Sequence, residues 1–271
     1  MINYNKKQNI RNAQNHENLM NKLFKHQIED SLKNTQVVTE KDVKDFKVVP
    51  VNSEVLVWNT DTYSATVKAR KMSRHAKIAV LNFADYKDAG GGYMQGMMAQ
   101  EEAICGQSDL YPVISQCTDY YDFNAKHMNN GLYMDRALYT PDILWGLSTR
   151  PMAKSDVITC AAPRKSRGKY IKNVQAQRKY YQDADRAMLK RMKFVKKLAE
   201  KQGVDVLILG AWGAGAFGFD AKKVAQMWQT AFANGTSIKQ VIYAIINDKR
   251  SNNAFKTFED VFSNSKTQTR S

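Results

Sequence analysis

The residues best suited to chemistry are two carboxylates placed behind a triple glycine. Gly90 to Glu102 reads GGGYMQGMMAQEE: three glycines, seven residues, then Gln100-Glu101-Glu102. Glycine carries no Cβ, so the N–H groups of such a loop can converge on a ligand at close range, and diphosphates are the usual beneficiaries. A carboxylate at an anion-binding loop would repel the ligand it faces, so its presence points to chemistry rather than to binding. A glutamate beside a sugar can donate a proton to a leaving oxygen and then deprotonate an incoming water, provided burial or nearby phosphates raise its pKa. The spacing leaves a second reading open, in which Glu101 and Glu102 are favourable first-turn residues of a helix running to Val113.

A second loop has the same composition. Eight of the fourteen glycines fall in two windows, Gly90, Gly91, Gly92 and Gly96 in the first, and Gly210, Gly213, Gly215 and Gly218 in the second. The second window, GAWGAGAFG, leads into a helix with Asp220 as its expected N-cap, whose first N–H groups favour an anion. It matches neither G-x-x-x-x-G-K-[ST] nor G-x-G-x-x-G, which disfavours a Walker-type nucleotidase and a standard dinucleotide fold.

Both loops follow short apolar runs. Five such runs, 55–58, 78–83, 156–161, 204–209 and 240–246, predict buried strands. Helical spacing is expected over 101–113, 181–201, from Asp220 to Phe232, and over 253–262. Strands alternating with helices predict an α/β domain with a mixed, mainly parallel sheet, and place ligands beyond the carboxyl ends of its strands. The domain is expected over 49–263. Residues 1–48 are expected as a partly disordered helical extension with the stripe Leu19, Leu23, Ile28 and Leu32, and 264–271 as a polar tail.

The 271 residues carry 41 Lys+Arg and 26 Asp+Glu, a net charge of +15. Arg164 to Lys201 holds fourteen of the cations and three acids, and 66–77 holds five cations and no acid. The excess suits an anionic partner, while the later part of the 164–201 stretch also reads as a helix with a solvated lysine face. With 43% hydrophobic residues the chain can bury a full core, unlike a disordered basic tail. Cys105, Cys117 and Cys160 form no C-x-x-C pair, and the four histidines show no ligand spacing, so neither a disulfide framework nor a metal site is expected. No apolar run has membrane-spanning length, and no apolar stretch follows the N-terminal charges of the kind a secretory leader needs. A soluble, cytoplasmic, monomeric protein without cofactor is the expectation.

These motifs resemble the microbial-type poly(ADP-ribose) glycohydrolases, macrodomain proteins whose GGG-x(6–8)-QEE signature is complete here. The likeness extends to VLNFAD (80–85), MDRALYTPDI (134–143), SDVITCAAP (155–163), LILGAWGAGAFG (207–218) and IYAIIND (242–248) followed by NAFKTFEDVF (253–262). The resemblance implies a macrodomain-like three-layer α/β/α fold and hydrolysis of the ribose–ribose bonds of poly(ADP-ribose). It implies that Glu102 is the acid/base and that Glu101 holds hydroxyls of the ribose at the scissile bond. Gly91 and Gly92 would pack on that ribose and the diphosphate, Gly213, Ala214, Gly215 and Ala216 would wrap the diphosphate, and Phe217 would pack on the ADP-ribose. Asn82 and Gln100 complete the implied substrate contacts. The chain departs from the pattern at Asp88-Ala89, where the family commonly has a proline, and at Phe219, where asparagine often follows the glycine turn.

The chemistry of the residues agrees with this. Glycosidases commonly set two carboxyls ~5–9.5 Å apart across the sugar. Neighbours on a helix point ~100° apart, so Glu101 and Glu102 are not expected to flank a bond, and Glu102 alone is expected to serve as acid and then base without a metal. Alternatives are removal of mono-ADP-ribose from a protein or nucleic acid, and a non-catalytic ADP-ribose reader. Poly(ADP-ribose), ADP-ribosylated protein and nucleic acid are the expected partners.

Overall fold

The structure is a computed structural model and describes residues 6–146, 151–247 and 253–268. Its strands are β1 (Gln36–Thr39), β2 (Glu54–Trp58), β3 (Ile78–Phe83), β4 (Arg136–Trp145), β5 (Ala153–Cys160), β6 (Val206–Leu209) and β7 (Gln240–Ala244). The helices are α1 (Lys6–Leu23), α2 (Lys25–Asn34), α3 (Glu40–Val43), α4 (Thr62–Met72), α5 (Gln100–Cys105), α6 (Leu110–Ile114), α7 (Thr118–Lys126), α8 (Val174–Lys201), α9 (Ala221–Phe232) and α10 (Ala254–Gln268). All seven strands join one sheet in the order β1-β4-β5-β3-β6-β7-β2. The five strands from β5 to β2 are parallel, and β4 and β1 continue the sheet antiparallel at one edge.

Alternation along the strands splits the core in two. Ile78, Val80, Val206, Ile208 and Ile242 face one layer, which contains α1, α2, α4, α5 and α6. Ala79, Leu81, Leu207, Leu209, Val241 and Tyr243 face the other, filled by α8, α9 and α10. Both faces are covered, which is why the parallel strands read as continuous apolar runs. In β4 the register shifts between Thr140 and Ile143, with Asp142 at φ 64°, and this bulge returns Ile143 and Trp145 to the α1 side.

The five expected strands form, and two more join them. The 36–39 segment, expected within a helical extension, pairs with β4 and supplies the sheet edge. The helix begins at Lys6, inside the stretch expected to be disordered; residues 1–5 lie outside the described residues. The expected stripe holds in its second half, where Ile28 is buried and Leu32 packs on the core, but Leu19 and Leu23 are exposed and α1 buries Ala13, His16, Glu17 and Met20 instead. The 101–113 helix is broken into α5 and α6 at Gly106–Asp109, and α8 starts seven residues earlier than expected, capped by Asn173. At the far end α10 extends to Gln268 into the expected tail, and 269–271 lie outside the described residues.

The basic stretch divides in two. In its second half several cations hold the N-terminal segment to the domain. Lys190 pairs with Glu40 and Asp135, and Lys197 and Lys201 donate to the carbonyls of Lys44 and Asp42, while Lys196 pairs with Glu200 within α8. Arg191, 2% exposed, pairs with Asp135 at 3.0 Å and donates to Ala161 O. Removing one member of a buried ion pair leaves the other charge unsolvated. Arg191→Ala is therefore expected to cost about 3 kcal/mol of stability in urea unfolding, against under about 0.5 kcal/mol for the exposed Lys193→Ala.

Candidate active site

Both glycine loops leave the carboxyl ends of neighbouring parallel strands, β3 and β6, paired through Val80 and Ile208. They touch where they start: a Cβ on Gly210 would lie 3.0 Å from the Phe83 ring. The expected convergence of the loops at one end of the sheet is thus a property of the topology.

The first loop is folded around its own carboxylates. Glu102, 7% exposed, accepts the Gly92 N–H on Oε1 and the Ala99 N–H on Oε2, both at 2.9 Å. The second bond is the glutamate half of a capping box at the start of α5; Ala99 has no side-chain acceptor to return it. Glu101, 3% exposed, accepts the Asp85 N–H at 2.6 Å and the Asn82 amide at 3.1 Å. The two carboxylates do not diverge as helical neighbours were expected to. A Cβ on Gly91 would meet Glu102 Oε1 at 2.8 Å and Glu101 Oε2 at 3.0 Å, so both converge on this one glycine, whose φ is +57°.

Gln100 acts on the strand. Its Oε1 accepts from Phe83 N at 2.9 Å, and its Nε2 donates to Leu81 O at 3.0 Å and to Thr62 Oγ1. The amide is consumed in locking α5 to the end of β3. Asn82 is fully buried beside Thr159 and reaches Glu101, so it too bears on the position of a carboxylate. Asp85 Oδ1 accepts from the N–H groups of Lys87 and Asp88, making the turn that enters the loop.

Burial dominates the electrostatics. It raises the Glu101 carboxyl to about 8, with the charges of Glu102 and Asp85 adding to the rise and the Asp85 and Asn82 donors opposing it. Burial also pushes the Cys105 thiol up, and that side chain packs in the α1-side core as a small apolar residue. No cluster of metal-ligating side chains occurs among the described residues.

In the second loop, Trp212, Gly213 and Phe219 are buried, and Gly215, Ala216 and Gly218 are exposed. The loop closes on itself through Phe219 N to Gly213 O and Gly218 N to Gly215 O, both 3.0 Å. The N–H groups of Gly215, Ala216 and Phe217 donate to no acceptor among the described residues. Phe217 packs beside Ala161 and the stacked pair Tyr86–Tyr133, whose ring centroids are 4.0 Å apart. Phe219, where the family often has asparagine, fills the core between Gly213 and the overlying Lys165 ammonium.

Sequence reasoning missed the N-terminal clamp on the first loop. Asn9 donates to Gly96 O at 3.2 Å, and His16 Nδ1 is 2.9 Å from Tyr93 Oη. Gly96 has φ +74°, and a Cβ there would lie 2.7 Å from Lys6 O. Nothing in a polar segment such as KKQNIRNAQNHENL signals that contact. The Tyr86–Tyr133 stack was missed as well, since the two residues are 47 positions apart.

Gly91→Ala places a methyl group between the carboxylates in a left-handed backbone, and should cost at least tenfold in turnover with the fold retained by circular dichroism. Glu101 keeps its proton in the folded state at pH values where the unfolded chain has lost it. Stability is then full below about pH 4.5 and falls as the pH rises to about 8. Glu101→Gln should remove ~2–4 kcal/mol of this fall, measured by urea unfolding at the two ends of the window.

The family profile of the microbial-type PARG catalytic domain matches residues 4–146, more than half of the chain. Among solved structures, poly(ADP-ribose) glycohydrolase from Thermomonospora curvata superposes with a TM-score of 0.82 at 20% identity, over 94% of this chain and 100% of that one. The same protein bound to the inhibitor ADP-HPD gives 0.77 at 20% identity, over 94% and 99%. Poly(ADP-ribose) glycohydrolase from Deinococcus radiodurans in complex with ADP-ribose gives 0.76 at 23% identity, over 88% and 97%. Among curated protein sequences none matches. The solved structures carry the fold, and the profile carries the family: this chain belongs to the microbial-type poly(ADP-ribose) glycohydrolases, a family of glycosidases.

Proposed function

We propose that the chain hydrolyses the O-glycosidic ribose–ribose bonds of poly(ADP-ribose), releasing ADP-ribose, with Glu102 as the single acid/base. The observation that carries this reading is the convergence of a buried carboxylate and a loop of unused N–H donors at the carboxyl ends of two adjacent strands. Gly215, Ala216 and Phe217 supply N–H groups for a diphosphate, with Gly213 and Ala214 shaping the turn, and Phe217 offers a ring to the bound ligand. Gly91 and Gly92 leave room for a ribose against the carboxylates.

In the resting site Glu102 accepts the N–H groups of Gly92 and Ala99. The diphosphate is seated in the second loop, beside the scissile ribose. Glu102 then gives its proton to the oxygen leaving C1 of the scissile ribose. The C–O bond breaks, and the diphosphate stabilises the oxocarbenium-like cation. The Glu102 carboxylate next takes a proton from water as the water oxygen bonds to C1, which restores the acid. Glu101, held by Asn82 and Asp85, orients ribose hydroxyls in this scheme. Gln100 contributes by fixing α5 to β3 rather than by touching substrate.

Glu102→Gln should abolish ADP-ribose release, with a loss of at least a thousandfold in kcat, while ADP-ribose affinity measured by calorimetry changes less than about threefold. Undiminished turnover overturns the assignment. Gly215→Val is a clean probe of the second loop, since a Cβ there meets nothing within 4 Å and the backbone is unstrained. It should block ADP-ribose binding without altering the melting temperature; unchanged affinity refutes the placement of the diphosphate.

A further inference from the structure

Most cations in the first half of the basic stretch are left without an ion pair or hydrogen bond among the described residues. From Arg164 to Gln182 there are seven Lys or Arg residues and no acid. Lys165 and Lys179 are paired, with Asp185 and Asp183. The side chains of Arg164, Arg167, Lys172 and Arg178 are exposed and have no ion pair or hydrogen bond among the described residues. Lys169 lies over the ring of Tyr170, 5.1 Å from its centroid, and Tyr170 is 74% exposed. An exposed aromatic ring among unpaired cations is the composition that binds phosphates and stacks a base.

This surface is rigid and abuts the second glycine loop. Ser166 donates its N–H to Phe217 O at 2.8 Å and its hydroxyl to Ala216 O at 2.9 Å, so the basic turn is bonded to the residues whose N–H groups are unused. Gln177 donates to Gly168 O and Ile171 O, and Tyr180 Oη to Arg164 O, which fixes the turn on α8. Gly168 is buried against Tyr180 and Tyr181, where a Cβ would lie 2.3 Å from a ring carbon.

The other basic segment differs in both respects. Lys77 directly precedes β3, so the segment lies at the opposite end of the sheet. It lines a cleft of about 590 Å³ with Lys154, Asp142 and Asp156. Its charge is largely used: Arg70 caps the carbonyls of Ser73, Arg74 and Ala76, Lys77 pairs with Asp156, and Lys68 covers Trp58.

We propose that the 164–178 surface is a second subsite for the polymer, holding a poly(ADP-ribose) unit outside the catalytic loops through its diphosphate on Arg167, Lys172 and Arg178 and its adenine on Tyr170. The inference rests on the hydrolytic activity proposed for the chain and extends it, because a substrate with successive diphosphates can occupy the second glycine loop and the adjoining cations together. Long chains are then held more tightly than free ADP-ribose, and the difference is sensitive to salt.

The test is a binding measurement, fluorescence anisotropy of end-labelled long-chain poly(ADP-ribose), of labelled ADP-ribose and of labelled single-stranded DNA at low and high NaCl. It uses the full chain with Glu102→Gln, which leaves the polymer intact, with the surface wild type, as the fourfold variant R167Q/K169Q/K172Q/R178Q, and as Tyr170→Ser; release of ADP-ribose is measured in parallel with Glu102 restored. The fourfold variant should bind polymer about tenfold or more weakly at low salt, with a shallower salt dependence, and bind ADP-ribose as wild type does. Tyr170→Ser should weaken polymer binding by about threefold or more with the salt dependence unchanged. Equal affinity of wild type and fourfold variant for polymer overturns the proposal, as does an equal loss for polymer and ADP-ribose. So does a variant that loses single-stranded DNA but keeps polymer, which would make the surface a nucleic-acid site. Failure of the hydrolytic reading shows separately, as wild type that binds polymer and releases no ADP-ribose.

Discussion

Glu102 accepts hydrogen bonds from Gly92 and Ala99, and Glu101 from Asp85 and Asn82; around these four bonds the first glycine loop takes its shape. A loop of this composition has little to hold it, since its glycines contribute no side-chain packing and lose much conformational freedom on folding. The carboxylates supply what the glycines lack. The residues proposed to do the chemistry therefore also build their own surroundings, and their carboxyl oxygens serve as the frame over which the backbone is laid. Gln100, the third member of the motif, extends the same logic backwards by fastening α5 to β3.

The second constraint is the adjacency of β3 and β6. Parallel strands send their following loops to the same end of the sheet, so the carboxylates and the N–H-rich loop meet without a dedicated contact surface. The antiparallel edge formed by β4 and β1 lies on the other side of β5, and the segment leading into β4 brings Tyr133 against Tyr86 beside Phe217. Its importance is mechanical: β1 carries the N-terminal segment around the edge, where α3 is fastened to α8 by Lys190, Lys197 and Lys201.

What was legible in the sequence follows from what each signal measures. The five parallel strands were readable because both their faces are apolar, and a short run such as IAVLNF, set between Lys77 and Ala84-Asp85, fits a strand covered on both sides. β4 was hidden by its bulge, since Pro141-Asp142 breaks the period that would have marked it. β1 was hidden by its length of four residues with one buried position. At the site, glycine and glutamate spacing located the two loops, and the resemblance assigned roles that spacing left open. The convergence of Glu101 and Glu102 on Gly91 could not be read from helical geometry, because it depends on side-chain bonds to a loop that precedes the helix. The two functions of the 164–201 stretch were likewise inseparable by composition: Arg191 and Lys196 are buried and Arg178 is exposed, yet all are basic residues of one helix.

The grip of α1 on the first loop has a consequence for how the site opens. That helix is polar, and only Ala13, His16, Glu17 and Met20 are buried, so the region that clamps Gly96 and Tyr93 is anchored by few apolar contacts. Segments of this kind detach at lower free energy than the sheet beneath them. The amide protons of Gly92 and Ala99, bonded to Glu102, would then exchange with solvent on the schedule of α1, and a polar helix far upstream in the chain would govern the breathing of the first glycine loop.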